Sequence, residues 1–276
     1  MSLHPAFAEG NVAVITGGAD GIGFEAAKKY LSFGMKVCIA DINEEKLQTA
    51  AEALGDVLTV KTDVTNMDDL NALKAQVLNA YGQVNVLMNN AGIVLHNTSW
   101  GELDAWKKVL DVNLNGVIHG IHCFVEDMLK PGTPGLIINT GSKQGITCPP
   151  GNPAYNTSKA ALRAVTELLQ DNLRKTPNCQ VSAHLLVPGF TYTGMIKPFL
   201  PEKPDFAWTP DQVIDLMVER ISRGDFYIIC PDNDATEAMD KKRMEWAMGD
   251  LINNRSALSR WDEKYKDEFE KFMEEK

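Results

Sequence analysis

The sequence predicts an α/β chain: a doubly wound parallel sheet of about seven strands with helices on both faces, forming one domain with a helical C-terminal extension. Three observations predict it. Short β-branched runs ending in Gly, Asp or Asn alternate with longer stretches of helical spacing. The apolar runs are continuous rather than alternating, as strands covered on both faces require. A glycine-rich turn follows the first run directly and opens the first helical stretch.

In chain order the strand candidates are 12–16, 36–40, 57–61, 84–88, 135–139, 180–186 and 226–230. Helical spacing occupies 21–33, 44–54, 68–81, 104–129, 154–174 and 210–223. Thr209-Pro210 supplies the last of these with an N-cap and a proline at its first turn. Residues 1–230 read as the dinucleotide-binding and catalytic unit, with a substrate loop near 190–208 that holds three prolines and the aromatics Phe190, Tyr192, Phe199, Phe206 and Trp208. Residues 231–276 run past the last strand. There Trp261, Tyr265, Phe269, Phe272 and Met273 form a stripe at helical spacing, expected to dock on its own subunit or a neighbour.

Composition removes several function classes. The 276 residues are 44% hydrophobic, enough for a real core and against disorder. There are 37 acids against 27 bases, a net charge of −10, which repels nucleic-acid backbones and anionic lipid. Half of that charge lies in residues 225–276, with fourteen acids and nine bases. Cys38, Cys123, Cys148, Cys179 and Cys230 are widely spaced and odd in number, which predicts free thiols. The opening MSLHPAFAEG has no basic stretch followed by an apolar one, and no apolar run approaches about 18 residues, so a cytoplasmic location without membrane attachment is expected.

The turn Thr16-Gly17-Gly18-Ala19-Asp20-Gly21-Ile22-Gly23 suits a dinucleotide pyrophosphate. Its glycines let the backbone turn sharply and approach phosphate, and the helix it opens offers free N–H groups to negative charge. The spacing is G-x-x-x-G-x-G rather than G-x-G-x-x-G, so the turn alone is weak evidence. Asp41 ends the second strand and can accept both ribose hydroxyls of an adenosine. It would repel a 2′-phosphate, Asp20 adds to that repulsion, and Ile42-Asn43 offers no base. The cofactor expected is therefore NAD. Asp41 as a mere helix cap is the competing reading. Asp63-Val64 closes the third strand where a carboxylate could meet the adenine amino group, or equally cap the next helix.

Tyr155 and Lys159 stand at i and i+4 on a predicted helix, hence on one face. A nearby ammonium, together with a positive nicotinamide ring, would lower the phenol's pKa and make it an acid/base for an alcohol or carbonyl oxygen. Alone, this spacing usually marks a surface pair. Ser142, thirteen residues earlier at the end of the fifth strand, could hydrogen-bond the same oxygen. Asn113 is an amide in the middle of the helical stretch 104–129, awkward unless partnered. Lys143 and Gln144 follow the serine as candidate substrate contacts, or as idle loop residues. His119, His122 and Cys123 lack a third well-placed ligand, so packing is the better reading than a metal site.

Taken together and in order, these motifs resemble the short-chain dehydrogenase/reductase family in its short, single-domain, Rossmann-type branch. They are T-G-x-x-x-G-I-G at 16–23, the acid at 41, D-V at 63–64, N-N-A-G at 89–92, Asn113, Ser142, Y-x-x-x-K at 155–159 and P-G at 188–189. The resemblance covers about residues 10–230. It implies that Tyr155 is the general acid/base, that Lys159 lowers its pKa and bonds the nicotinamide ribose, and that Ser142 holds the reacting oxygen. It implies that Asn113 anchors a water on the proton path from Lys159. Gly17, Asp20, Gly21, Ile22, Gly23, Asp41, Ile42, Asp63, Val64, Asn90 and Gly92 would surround the adenosine and phosphates. Pro188, Gly189, Thr191 and Thr193 would line the nicotinamide side. Two departures stand out: Gly141 replaces a serine many members carry before the catalytic one, and the chain adds about 46 residues after the last strand.

The function expected is hydride transfer between NAD and a secondary alcohol or ketone, with the small-molecule substrate partly apolar because the 190–208 loop is aromatic. A homodimer or homotetramer is implied by the resemblance. The alternatives are an NADPH-dependent carbonyl reductase, a lyase or epimerase using the same Tyr–Lys pair, and a non-catalytic NAD-binding protein, which would be expected to lose Tyr155 or Lys159.

Overall fold

A computed structural model describes residues 2–275. Seven strands, β1 (Val12–Thr16), β2 (Lys36–Asp41), β3 (Leu58–Lys61), β4 (Val86–Asn89), β5 (Gly135–Thr140), β6 (Val181–Val187) and β7 (Tyr227–Ile229), form one sheet in the order β3-β2-β1-β4-β5-β6-β7. Every pairing is parallel, for example Thr16 with Ala40 and Asn89 with Asn139. The helices are α1 (Gly21–Ser32), α2 (Glu44–Leu54), α3 (Met67–Tyr81), α4 (Leu103–Leu110), α5 (Gly116–Leu129), α6 (Gln144–Thr147), α7 (Pro153–Lys175), α8 (Pro210–Ser222), α9 (Glu237–Asn253) and α10 (Lys266–Glu274). The doubly wound α/β class expected from the sequence is the observed fold, a single Rossmann-like domain, with strand ends shifted by one or two residues.

Alternate residues of each strand feed two cores. Ala13 and Ile15 of β1 join Val37 and Ile39 under α1, α2 and α8. Val12 and Val14 join Cys38 and Ala40 on the other face, under α3 and α5. This double burial is why the strand runs carry no polar alternation. Strand order reverses between β1 and β4, so the crevice for a ligand opens at the C-terminal ends of these two strands. Among the described residues no helix is long and apolar enough to cross a membrane.

Two expectations are corrected. The stretch 104–129 is not one helix. A π-turn, Asp111–Asn115, separates α4 from α5, with the Gly116 N–H bonded to the Asp111 carbonyl. The wide turn carries Asn113 inward, where it is fully buried. The stripe from Trp261 to Met273 is not one helix either: Trp261 and Tyr265 end short 3-10 turns, and only the residues from Lys266 are α-helical. Phe269 and Phe272 pack on Trp246 of α9, with ring centroids 5.2 and 5.3 Å away, and the buried Trp246 indole donates to the Ser259 hydroxyl at 2.8 Å. The partner of this stripe is therefore a helix of the extension itself.

Candidate active site

The turn after β1 is shaped by sterics. Gly17 adopts φ +63°, and a Cβ there would lie 2.8 Å from Ala91 Cα. A Cβ on Gly23 would lie 2.2 Å from the Gly17 carbonyl oxygen, so no side chain fits. Asp20 caps α1, accepting from the Gly21 N–H at 2.7 Å. The N–H groups of Ile22 and Gly23 stand at the helix start with no intrahelical acceptor. Side-chain-free backbone and unpaired N–H groups at a helix N-terminus fit a pyrophosphate.

The neighbours of this turn partly revise the expectation. Asp20 does not add bare negative charge, because its Oδ2 pairs with Lys46 Nζ of α2 at 2.8 Å. Asp41 lies beside Lys61 in the β2–β3 register, and Lys61 pairs with Glu44 at 3.2 Å. Bases therefore do lie near the glycine turn and Asp41, contrary to the reading of Ile42-Asn43 alone, though each is matched by an acid. Asp41 does not cap α2: Asn43 does, accepting from Lys46 N, while Asp41 accepts only the Asn43 N–H at 3.0 Å. Ile42 is exposed. Asp63 likewise leaves the cap of α3 to Asn66 and accepts from the Thr65 N–H and hydroxyl. Val64 is buried, and its carbonyl meets His119 Nδ1 at 3.0 Å.

Asn90, at the end of β4, bridges the two halves of the crevice. Its amide donates to the Gly17 carbonyl at 3.1 Å and accepts from the Thr140 hydroxyl at 3.2 Å. The Thr140 carbonyl accepts from Lys159 Nζ at 2.7 Å. Gly92 lies close by, where a Cβ would be 3.8 Å from Lys159 Nζ and 3.5 Å from Asn113 Oδ1.

α7 starts at Pro153, placing Tyr155 in its first turn and Lys159 one turn on. Asn97 fixes this helix start, accepting from the Ala154 N–H at 3.0 Å. Lys159 Nζ stands 5.7 Å from the centre of the Tyr155 ring, and the Ser142 side chain lies near enough to the phenol to favour its ionised form. Ser142 is held close to this helix because α6, which follows it, lies directly on α7: a Cβ on Gly145 would fall 2.5 Å from the Lys159 carbonyl carbon. Asn113 Oδ1 accepts from the Ile93 N–H at 2.8 Å, and its amide donates to the Ile93 carbonyl at 2.9 Å and the Ser158 hydroxyl at 3.3 Å. Both its amide oxygen and its amide nitrogen thus have protein partners, which fixes the side chain in place.

The electrostatics differ from the sequence expectation. Burial pushes the Tyr155 phenol up from its ordinary value, opposed by the neighbouring Ser142 side chain. Burial also brings Lys159 down from 10.5 to about 8. In this pair desolvation outweighs mutual support. The site therefore holds a protonated phenol beside an amine that titrates just above neutrality.

On the far side, Pro188 accepts from the Lys143 N–H at 3.3 Å, and Thr191 bonds the Gly189 carbonyl and bridges to Trp208. Thr193 rests on the glycine-rich turn, 3.1 Å from where a Cβ of Gly21 would stand, and a Cβ on Gly194 would be 1.9 Å from Asp20 Oδ2. The loop 190–208 is less of an aromatic lid than expected. Phe190 and Phe206 pack edge-to-face with centroids 5.0 Å apart, Tyr192 bonds the Pro201 carbonyl, and Trp208 packs on the core. Phe199 is exposed.

Residues 11–204 match the family model for short chain dehydrogenases. The chain belongs to the short-chain dehydrogenase/reductase family. The 3beta-hydroxysteroid dehydrogenase 2 of Eggerthella lenta is 34% identical over 198 residues, 70% of this chain and 75% of that one. The 2,5-dichloro-2,5-cyclohexadiene-1,4-diol dehydrogenase LinX of Sphingobium indicum is 35% identical over 164 residues, 57% of this chain and 65% of its own. A short-chain dehydrogenase/reductase from Burkholderia phymatum, solved in complex with NAD, superposes with a TM-score of 0.82 at 30% identity, covering 93% of this chain and 98% of that one. As a short-chain dehydrogenase/reductase, the protein is an oxidoreductase of a family that acts on CH–OH donors with a nicotinamide cofactor and small-molecule substrates.

Several supporting residues of this short-chain dehydrogenase/reductase escaped the sequence reading. Thr140, Ile93 and Ser158 act through backbone or through-space bonds that no motif announces. Asn97 lies 57 residues before the helix it pins. Gly145 carried a signal, a glycine in the turn after Ser142, but its partner is a backbone far along the chain.

Proposed function

We propose that this chain is an NAD-dependent oxidoreductase that interconverts a secondary alcohol and its ketone through Tyr155, Lys159, Ser142 and Asn113. The observation that carries the reading is the buried Tyr155 phenol, with Ser142 beside it and Lys159 Nζ 5.7 Å from its ring, together with a glycine cradle suited to pyrophosphate. When bound, the nicotinamide supplies hydride acceptance or donation, and its positive oxidised ring offsets the burial that keeps the phenol protonated. Tyr155 exchanges the proton of the substrate oxygen. Ser142 donates to that oxygen and shares its developing charge. Lys159, near neutrality in its pKa, replenishes or removes the proton. Asn113 holds the Ile93 segment and Ser158 in place beside Lys159, where a water on the proton path would sit.

Asp41 at the end of β2 supports NAD over NADP, as does the likeness to a relative solved with NAD. The relatives named for a hydroxysteroid and a cyclohexadienediol support a cyclic, partly apolar alcohol. A carbonyl reductase using NADPH is the second reading. It draws on the protonated state of Tyr155, which suits proton donation to a carbonyl, and on Lys46 and Lys61 near the adenosine end. Rates with NADH and NADPH on one ketone distinguish the two.

The test is a panel of cyclic secondary alcohols with NAD, followed by absorbance of the reduced ring, on wild type and Tyr155→Phe. Loss of a well-placed acid/base should cost about a hundredfold or more in kcat. NAD affinity by calorimetry should stay within a few-fold. Turnover by Tyr155→Phe within a few-fold of wild type would remove the assignment.

A further inference from the structure

We propose that Lys143 is a positioning residue: it ties the loop that carries Ser142 to the C-terminal extension, and through that tie the extension sets where the Ser142 hydroxyl stands. The inference rests on the oxidoreductase reading above and concerns residues outside its four-membered constellation.

Lys143 follows Ser142 directly, yet its ammonium turns to two carboxylates beyond the last strand. Nζ lies 2.6 Å from Asp240 Oδ2 in the first turn of α9 and 3.3 Å from Asp232 Oδ2. The three side chains are 20%, 7% and 12% exposed. Ion pairs this sheltered are screened little, and removing one partner strands a buried charge. The node is also braced from outside, with Arg243 reaching Asp240 at 3.8 Å. Lys143 is therefore committed to the extension and not free to meet a substrate anion.

The same junction holds the other walls of the crevice. Asp232 Oδ2 accepts from the Phe190 N–H at 3.4 Å, and the Asn233 N–H bonds the Phe206 carbonyl at 2.9 Å. These contacts grip both ends of the substrate loop. A Cβ at Gly189 would stand 2.8 Å from Asp232 Oδ2 and 3.0 Å from Lys143 Nζ, so the node is packed tightly against that loop's start. Meanwhile the backbone of Lys143 bonds Pro188, and the Gly145 N–H bonds the Ser142 carbonyl at 2.9 Å. Ser142 thus sits in a short segment, 141–147, whose one charged residue, Lys143, is tied to the extension. Hydrogen bonds to a developing charge lose effect steeply with sub-ångström misplacement.

A double-mutant cycle on the full chain tests this. Lys143→Met should lower kcat by about tenfold in the wild-type background. In a Ser142→Ala background, with no hydroxyl left to misplace, the same change should cost less than about twofold, because coupled residues are non-additive. Lys143→Arg should restore most of the loss. Hydrogen exchange across residues 141–147 should quicken several-fold in Lys143→Met. Should Lys143→Met fail to fold, Asp240→Asn carries the same cycle and the same expectations. Equal losses in both backgrounds, or no loss in either, would overturn the proposal. An enzyme that requires Tyr155 but ignores Lys143 overturns this inference alone, whereas one that ignores Tyr155 overturns the oxidoreductase reading.

Discussion

Lys159 stands wholly inside the protein, and a single substitution should expose what that costs. Burial lowers its pKa from 10.5 to about 8. The gap is roughly 2.5 pH units, and each unit is about 1.4 kcal/mol, so charging this amine in the folded state costs about 3 kcal/mol. Its folded pKa lies below its unfolded one, so between them the unfolded chain binds the extra proton. Stability due to this group therefore rises with pH from about 8 to 10.5, and below about 8 the full cost is present. Lys159→Met removes the cost but leaves the Thr140 carbonyl without its donor, a loss of about 1–3 kcal/mol. At pH 7 the variant should thus be as stable as wild type or more stable by up to about 2 kcal/mol, while turning over substrate poorly. Urea unfolding at pH 7, 8, 9 and 10 checks it. Cys38 and Cys230, pushed up to about 12 by burial, titrate in both proteins and cancel in the difference. Wild type should gain on the variant by about 3 kcal/mol over that range. A difference that stays flat with pH would refute the claim that the ammonium is desolvated in the folded state.

Two further outcomes concern the crevice itself. Asp41→Asn should lower kcat/KM for NAD by about tenfold through loss of charge-assisted bonds to ribose, and raise the NADP rate relative to it; an unchanged NAD to NADP ratio would end the case for Asp41 as the discriminator. Asn113→Ala should destabilise the protein by about 2–4 kcal/mol, because the Ile93 N–H and carbonyl are both left without partners. Chemical denaturation measures this, and a loss below about 0.5 kcal/mol would mean water replaces the amide at no cost.

What the sequence made legible is what depends on neighbours along the chain. The seven apolar runs, the glycine turn and the i, i+4 spacing of Tyr155 and Lys159 are local patterns, and each lies where it was expected. What it hid depends on contacts across space. The pairing of Asp20 with Lys46 spans 26 residues and joins two helices. The π-turn at Asp111–Asn115 is a change of hydrogen-bond frame, invisible in residue types beyond the suspicious amide of Asn113. The phenol of Tyr155 was expected to be lowered by its lysine and a nicotinamide ring; desolvation, set by how much protein surrounds a group, works against the lysine's share because both partners are buried together. The aromatics of 190–208 suggested an apolar lid, yet most of them satisfy one another or the core, leaving Phe199 outermost.

The contact of Gly145 with the carbonyl end of Lys159 leaves no space for any side chain, so this floor of the crevice offers an engineer nothing to vary. Met195 and Phe199 of the 190–208 loop face solvent instead, so a change of size there displaces no buried neighbour.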